Sequence, residues 1–473
     1  MTSNHHFVVL SYPAQGHLNP NLQFSKRLLR IGLRVTFMTS AYARLSSHSD
    51  AELPKGLTVV EYFDGYDRTH KDDDEATKRA MERIKNSSSE ALRKVVSTAA
   101  DEGCPVTCVV YSLLLPWVAA VARELHVASA LIWIQPATVF DLYYYYFNGF
   151  DDVMRELTDQ HDAVELPGLP LKFTSRDLPS FMIPKNPYPA VIEFFREHMS
   201  ELDAEPVARV LVNTFDALES EALTCINKPK LTAVGPLIPS AFLDRDDPTD
   251  TGFGGDLFSN STSNNNSSHV SWLDSKPDSS VIYVSFGSIS VLSSQQMEKI
   301  GRGLLDLGKP FLWVIRDNNK TDENTMISCI AELEQLGLIV PWCSQLQVLS
   351  HPAISCFFTH CGWNSTMEGM ISGVPMVGFP QWSDQTTNGK LVEDYWKTGV
   401  RVSRNSDGLL ERGEIKRCLE VVTGDVEMRR NAMKWKKLAV ESVKEGGSSD
   451  RNLRDFVDQV ANVGDKDDCL GKH

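Results

Sequence analysis

The sequence predicts an α/β protein of two doubly wound domains of similar size that face each other across a cleft. Three observations carry this. The chain has 473 residues, more than one ordinary core accommodates. Short apolar runs alternate with longer amphipathic ones in two successive series, the pattern of parallel sheets covered on both faces. Between the series stand a breaker cluster, Gly235-Pro236-Leu237-Ile238-Pro239, and a polar stretch, Asp244–Ser268, ending NSTSNNNSS; the polar stretch is too poor in apolar residues to fold alone. The division is therefore 1–240, a linker or loop at 241–268, 269–447, and a last helix and tail at 448–473 that is expected to pack back on the first domain.

In the first series, His6–Ser11 reads as a buried strand, followed by a helix at Leu22–Ile31 that Gly32 stops. Arg34–Thr39, Leu57–Tyr62, Thr107–Tyr111, Ala128–Ile134 and Arg209–Asn213 are further strands, with helices at Glu75–Ala100 and Trp117–Leu125. In the second series the strands are Val281–Phe286, Phe311–Ile315, Leu338–Val340, Ile354–Thr359 and Met376–Phe379. Helices are expected at Ser294–Leu307, Asn364–Ile371, Thr386–Tyr395, Arg412–Val422, Val426–Val443 and Asn452–Val463. In such sheets ligands bind at the carboxyl ends of the strands, so the cleft between the domains is the place to look for chemistry.

Composition narrows the function. A formal net charge of −15 with no dense Lys/Arg run argues against nucleic acid. A phosphate ligand would then be held mostly by backbone N–H groups and helix ends. Nine scattered cysteines fit a reducing compartment rather than a disulfide framework. No basic, apolar leader opens the chain and no run approaches the ~20 apolar residues of a membrane helix, so a cytoplasmic monomer is expected.

The densest chemistry lies between Trp342 and Gln385. The strand ISCFFT runs into His360-Cys361-Gly362-Trp363-Asn364-Ser365-Thr366-Met367-Glu368-Gly369. Gly362 permits a sharp turn, and the helix that follows opens with residues of the capping type. Its free N–H groups and dipole make an anion site, to which Ser365 can add a hydroxyl and His360 an imidazole N–H. Glu368, one turn past Asn364, is placed for ribose hydroxyls. Upstream, Trp342 offers a flat face for a base, and the Cys343 backbone and Gln345 amide could read its edge. Downstream, Trp382-Ser383-Asp384-Gln385 brings an acid and an amide to a strand end, which suits paired sugar hydroxyls. Each piece alone also reads as packing or a helix cap; their order on one stretch favours a sugar nucleotide.

In order, spacing and residue type, Trp342–Gln385 resembles the signature box of plant secondary-product UDP-glycosyltransferases, enzymes of the two-domain GT-B fold. The resemblance implies that Trp342 stacks on uracil with Cys343 and Gln345 at its edge. It implies that His360, Trp363, Asn364 and Ser365 hold the diphosphate with Ser288, that Glu368 takes the ribose, and that Trp382, Asp384 and Gln385 meet the sugar. A Gln at the end of the box goes with glucose donors. UDP-glucose would be a co-substrate, with no further cofactor.

The base lies in the first series. In Tyr12-Pro13-Ala14-Gln15-Gly16-His17-Leu18-Asn19-Pro20, a strand ends, a glycine loop turns and a helix follows Pro20. This puts His17 at the cleft, and Gly16 beside the donor. An imidazole can take a proton from an acceptor hydroxyl near neutrality, and the resemblance makes this His the general base. Its usual orienting Asp is replaced by Ser112, which can hydrogen-bond but cannot stabilise an imidazolium by charge. The surrounding Leu113-Leu114-Leu115-Pro116-Trp117 resembles the subgroup of anthocyanin 5-O-glucosyltransferases and glucose-ester-forming enzymes. The expected activity is inverting transfer of glucose to a hydroxyl of a flavonoid-type molecule. A glucose ester on a carboxylic acid is the alternative, and a non-catalytic UDP-sugar-binding protein a weaker one. A dinucleotide oxidoreductase is disfavoured because no strand ends in Gly-x-Gly-x-x-Gly.

Phe63, Tyr66, Tyr143–Phe147, Phe181 and Met182 are candidate walls for a flat, apolar acceptor. No metal is expected. Asp72-Asp73-Asp74, Asp244-Arg245-Asp246 and Asp465-Lys466-Asp467 fall in polar loops, and Cys356, His360 and Cys361 lack a fourth zinc ligand.

Overall fold

The computed structural model describes residues 5–43, 56–65, 74–157, 162–183, 189–251, 266–316 and 327–470. Strand β1 (His6–Leu10) is buried along its whole length, as a strand covered on both faces must be. With β2 (Arg34–Ser40), β3 (Leu57–Tyr62), β4 (Val106–Ser112) and β5 (Ala128–Trp133) it forms the body of the first sheet. Strands β6 (Val164–Glu165) and β7 (Lys172–Phe173) make a separate antiparallel ribbon. Strands β8 (Arg209–Val212) and β9 (Lys230–Ala233) complete the first sheet, which has seven strands in the order β3-β2-β1-β4-β5-β8-β9.

The second sheet contains β10 (Val281–Ser285), β11 (Phe311–Val314), β12 (Leu338–Val340), β13 (Ile354–Thr359), β14 (Met376–Gly378) and β15 (Gly399–Arg401). Its six strands run β12-β11-β10-β13-β14-β15. Every pairing in both sheets is parallel. The strand order reverses once in each sheet, between β1 and β4 and between β10 and β13. At such a point the two flanking connections leave in opposite directions and open a crevice at the carboxyl ends. The expected two doubly wound units are therefore present, with crevices at equivalent places.

The last helix, Ser448–Leu470, leaves the second sheet and packs on the first. Leu453, Phe456, Val457 and Val460 join the first core, and the rings of Phe7 and Phe456 meet edge-on at 6.1 Å. In return Phe215, Leu218, Ile238 and Leu243 are buried in a core of the second half. The start of the expected linker is tied down: Asp250 takes Lys26 Nζ at 2.5 Å and the Ser240 backbone N–H at 2.9 Å. Residues 252–265 lie outside the described ones.

The sequence reading did not anticipate several elements. Strands β9 and β15, the helix Ala137–Tyr145 and the helix Pro189–Ala204 are real. Strands β9 and β15 are only four and three residues long, too short for a periodic signal. One boundary matters for function. The first helix begins at Gln15, not after Pro20, so His17 sits in its first turn and Pro20 lies inside it.

Candidate active site

The crevice beside β13 is built from three tight turns. After β13, Cys361 adopts φ +62°, and after β14, Ser383 does the same. Left-handed non-glycine residues are uncommon and gather at functional sites. The sharp turn thus falls on Cys361, whereas Gly362 has φ −59°. Gly362 is required for a different reason: a Cβ there would lie 2.5 Å from His360 Nε2, and one on Gly287 would lie 2.6 Å from the same atom. The imidazole is lodged between the turn after β10 and the turn after β13. Its burial pushes the pKa down to about 4, so the ring is neutral, with Nδ1 buried and without a hydrogen-bond partner among the described residues.

The helix Trp363–Ser372 opens at Gly362 with no side-chain cap. Asn364 and Ser365 lie inside its first turn and point elsewhere, so the first amides keep their capacity for an anion. The polar side chains along this helix are tied into a network. Gln345 Nε2 donates to Ser365 Oγ at 2.9 Å and to Glu368 Oε2 at 2.7 Å, while Gln345 Oε1 accepts from Tyr283 OH at 3.1 Å. The Gln345 amide, expected at the edge of the base, is thus used inside the protein; the buried Cys343 thiol stands 3.5 Å from the same Tyr283 hydroxyl. Burial raises the Glu368 carboxyl to about 7. Trp342 remains partly exposed just past β12, and Ser288 lies in the turn after β10, beside Gly287.

Trp363 does not present its ring to the cleft. The indole is buried and donates to the Asn213 carbonyl of the first half at 2.8 Å; a large ring at the first helical position finds its apolar surroundings at the seam between the halves.

At the third turn, Gln385 Oε1 accepts from the backbone N–H groups of Gln381 and Trp382 at 2.8 and 3.2 Å. Its amide nitrogen is not used by these bonds. Asp384 is buried and accepts from Asn388 Nδ2 at 2.6 Å; burial lifts its carboxyl to about 6. Asn388 Nδ2 also reaches the Cys361 carbonyl at 2.8 Å, which locks the second turn to the third.

The crevice beside β1 is sparer. His17 Nδ1 lies 2.8 Å from Oγ of Ser112, the last residue of β4. Desolvation lowers the His17 pKa to about 3, so the imidazole is neutral. The turn behind Ser112 has its own support, which the sequence reading missed. Leu114 stands at φ +72° and its N–H donates to His198 Nε2 at 3.0 Å. His198 is fully buried and stacks at 6.1 Å on Tyr111. Its signal was available: Ala190, Phe195, Met199 and Leu202 mark the inward face of the helix Pro189–Ala204, and residue 198 shares it.

A bond also ties the His17 loop to the helix behind Gly362. Asn364 Nδ2 donates to the Gly16 carbonyl at 3.0 Å. In a regular helix that carbonyl would accept from the N–H of residue 20, but residue 20 is proline and has none. The open carbonyl is taken by the other half of the molecule.

Of the candidate acceptor walls, Phe181 faces Trp382 edge-on at 5.9 Å across the seam, with Met182 buried beside it. The run Tyr143–Phe147 is mostly core instead. Tyr143, Tyr145 and Tyr146 are buried, and Tyr143 stacks on Phe195 at 3.9 Å. Phe63 is 81% exposed, and Tyr66 lies outside the described residues.

Among the described residues no group of three His, Cys, Asp or Glu side chains is arranged to hold a metal. Burial pushes the Cys356 and Cys361 thiols up to about 12, which suits packing rather than ligation. Asp244 is bonded to Ser240 and Arg30. Asp465 and Asp467 belong to the last helix rather than a loop, and Asp72 and Asp73 lie outside the described residues. Among the described residues no helix is long and apolar enough to cross a membrane.

Residues 210–442, which include both the second sheet and the Trp342–Gln385 segment, match the family described as UDP-glucoronosyl and UDP-glucosyl transferase. The chain is 55% identical to phloretin 4'-O-glucosyltransferase of Malus domestica, over 96% of this chain and 98% of that one. The chain belongs to this family. It is a UDP-glycosyltransferase, an enzyme class that takes the sugar nucleotide as co-substrate. Anthocyanidin 3-O-glucoside 5-O-glucosyltransferase 1 of Perilla frutescens is 51% identical, over 96% of this chain and 98% of that one. Among solved structures, Os79 from O. sativa in complex with UDP superposes with a TM-score of 0.82 at 34% identity, covering 96% of this chain and 100% of that one. The fold of this UDP-glycosyltransferase is accordingly GT-B.

Proposed function

We propose that the enzyme transfers glucose from UDP-glucose to a hydroxyl of a flavonoid-type acceptor with inversion at the anomeric carbon. The observation that carries this is the Asn364–Gly16 bond, which brings an imidazole and an uncapped helix N-terminus to opposite sides of one cleft. His17 takes the proton of the acceptor hydroxyl while Ser112 orients the ring. The acceptor oxygen then attacks the anomeric carbon from the face opposite UDP and the bond to the diphosphate breaks, giving a β-glucoside. Charge growing on the diphosphate is met by the amides behind Gly362, Ser288 and the His360 N–H. Trp342 carries the uracil, Glu368 the ribose, and Asp384 and Gln385 the glucose. The named activities of the Malus and Perilla relatives support the acceptor class. Incubation with UDP-glucose and a panel of flavonoids, read by mass, tests it; no glucoside with any phenolic acceptor overturns it.

A second reading has its own observation. The partner of His17 is a hydroxyl, which adds no charge to the base. An acceptor that arrives already ionised, such as a carboxylic acid with pKa near ~4.3, needs no strong base, and its product would be a base-labile ester.

Base and donor segment come from a single chain, which supports action as a monomer. Eight described cysteines are free, which supports a reducing, cytoplasmic setting.

A further inference from the structure

The segment Asp177–Met182 belongs by sequence to the first half, yet it is fastened to the second. Asp177 is 2% exposed. One carboxylate oxygen accepts from Arg401 Nη1 at 2.7 Å, and the other from the N–H and hydroxyl of Thr174 at 2.9 and 2.8 Å, with Lys390 Nζ at 3.5 Å. Arg401 is itself gripped by Glu393 through its Nε and its backbone N–H. The backbone is fastened as well. Thr387 Oγ1 donates to the Asp177 carbonyl and Thr386 Oγ1 to that of Leu178, both at 2.7 Å. Ser180 and Ser383 exchange two bonds: the Ser180 N–H donates to the Ser383 carbonyl at 2.9 Å, and the Ser383 N–H to Ser180 Oγ at 2.6 Å.

On the proposed reading both partners of this clip border the reacting centre. Ser383 is the left-handed residue between Trp382 and Asp384. Ser180 opens the turn Ser180–Met182, and the next ring, Phe181, packs on Trp382. A stack of exchanged hydrogen bonds closed by a buried ion pair is more than adhesion requires, because a buried pair contributes little net stability compared with apolar packing. It does fix register. A slip of one residue would unmake the Ser180–Ser383 pair and separate Asp177 from Arg401.

We propose that Asp177 is a positioning residue for glycosyl transfer: it sets the acceptor-side turn Ser180–Met182 against the sugar-side turn Trp382–Gln385, so that the acceptor oxygen meets the anomeric carbon. The proposal rests on the reading of Trp382–Gln385 as the sugar-contacting segment. Asp177 touches neither ligand. On the same reading UDP is held by Trp342 and the Gly362 turn.

The test is a split among kinetic constants. In D177N the carboxamide keeps the shape and loses the charge. UDP should raise the melting temperature by the same amount as in the wild type, and the KM for UDP-glucose should stay within about twofold. The acceptor's kcat/KM should fall by about tenfold, the scale of one lost charge-assisted bond. A larger share of UDP should be released with water taking the acceptor's place. Should D177N fail to fold, S180A/T387V, which removes only hydroxyl bonds across the clip, should show the same split, and R401K should retain most of the transfer. A variant that melts lower with unchanged constants, or whose two KM values rise together, overturns the proposal. D384N separates it from the underlying reading. If D384N leaves the preference for UDP-glucose over UDP unchanged, the sugar segment is misassigned. If it abolishes that preference while D177N shows no split, the clip alone fails.

Discussion

The two crevices share a topology and differ in chemistry. Each lies where its sheet reverses strand order, and each receives a strand end and the start of a helix. The crevice of the second sheet is crowded: three turns, an uncapped helix, and a network running from Tyr283 through Gln345 to Glu368. Its two buried carboxyls, Glu368 and Asp384, are lifted to about 7 and about 6; near neutrality Glu368 is partly protonated, which on the proposed reading lessens the repulsion it would offer a diphosphate. The crevice of the first sheet holds one imidazole against one hydroxyl. A ligand of fixed structure can be gripped by many converging groups, while an attacking hydroxyl needs only a proton acceptor in the right place. On the proposed roles, the difference teaches where charge is spent: around the donor it is buried and tempered, and at the base it is left out.

The sharpest way to break this comparison is H17A, which should reduce transfer to a phenolic acceptor by about 10²–10⁴-fold while UDP still raises the melting temperature. Full activity on a phenol would remove His17 from the chemistry. W342A tests the opposite crevice. UDP should bind more weakly by ~1–3 kcal/mol in calorimetry, with the His17 side untouched.

S112D sharpens the contrast by giving the base the charge it lacks. In the wild type the pKa of His17 is lowered to about 3, so between pH 7 and 5 the base of the free enzyme stays unprotonated and causes no loss of kcat/KM. A carboxylate at 112 stabilises the imidazolium and raises that pKa. S112D should therefore gain a few-fold in rate on a weakly acidic phenol at pH 8, and lose rate as pH falls through the raised value. A flat pH profile in S112D would mean that the serine already does all an aspartate could.

Stability gives the next smaller effect. His198 is also lowered to about 3. Below the unfolded value near 6.5 the unfolded chain takes up a proton there that the folded chain refuses, so stability falls as pH drops from about 6.5 towards 3. H198Q, whose carbonyl can still accept the Leu114 N–H, should show a smaller drop in Tm between pH 7 and 5 than the wild type. W363F, last, leaves the Asn213 carbonyl without its donor and should cost about 1 kcal/mol, read as a lowered Tm with unchanged affinity for UDP.

Legibility in the sequence depended on length and burial. Apolar strands such as Ile354–Thr359 and the helices Ser294–Leu307 and Val426–Val443 were readable to their ends, because burial on both faces or a full amphipathic period leaves a strong pattern. The short edge strands β9 and β15 left none. Within the site, residue types and their order were readable, but side-chain direction was not. Gln345 turns to Glu368 and Trp363 to Asn213 because of partners from distant parts of the chain, which no local spacing reveals. The role of Gly362 was likewise hidden: the imidazole that excludes a Cβ there is fixed in place by Gly287, far upstream.

Pro20 carries a consequence for anyone engineering this enzyme. A proline in a helix interior is a natural target for stabilisation, since Pro is about 3 kcal/mol less favourable there than Ala. P20A would mend the helix by offering an N–H to the Gly16 carbonyl, and that N–H would compete with Asn364 for the same oxygen. The repaired protein should melt higher and turn over more slowly, having gained its tightness by loosening one half from the other.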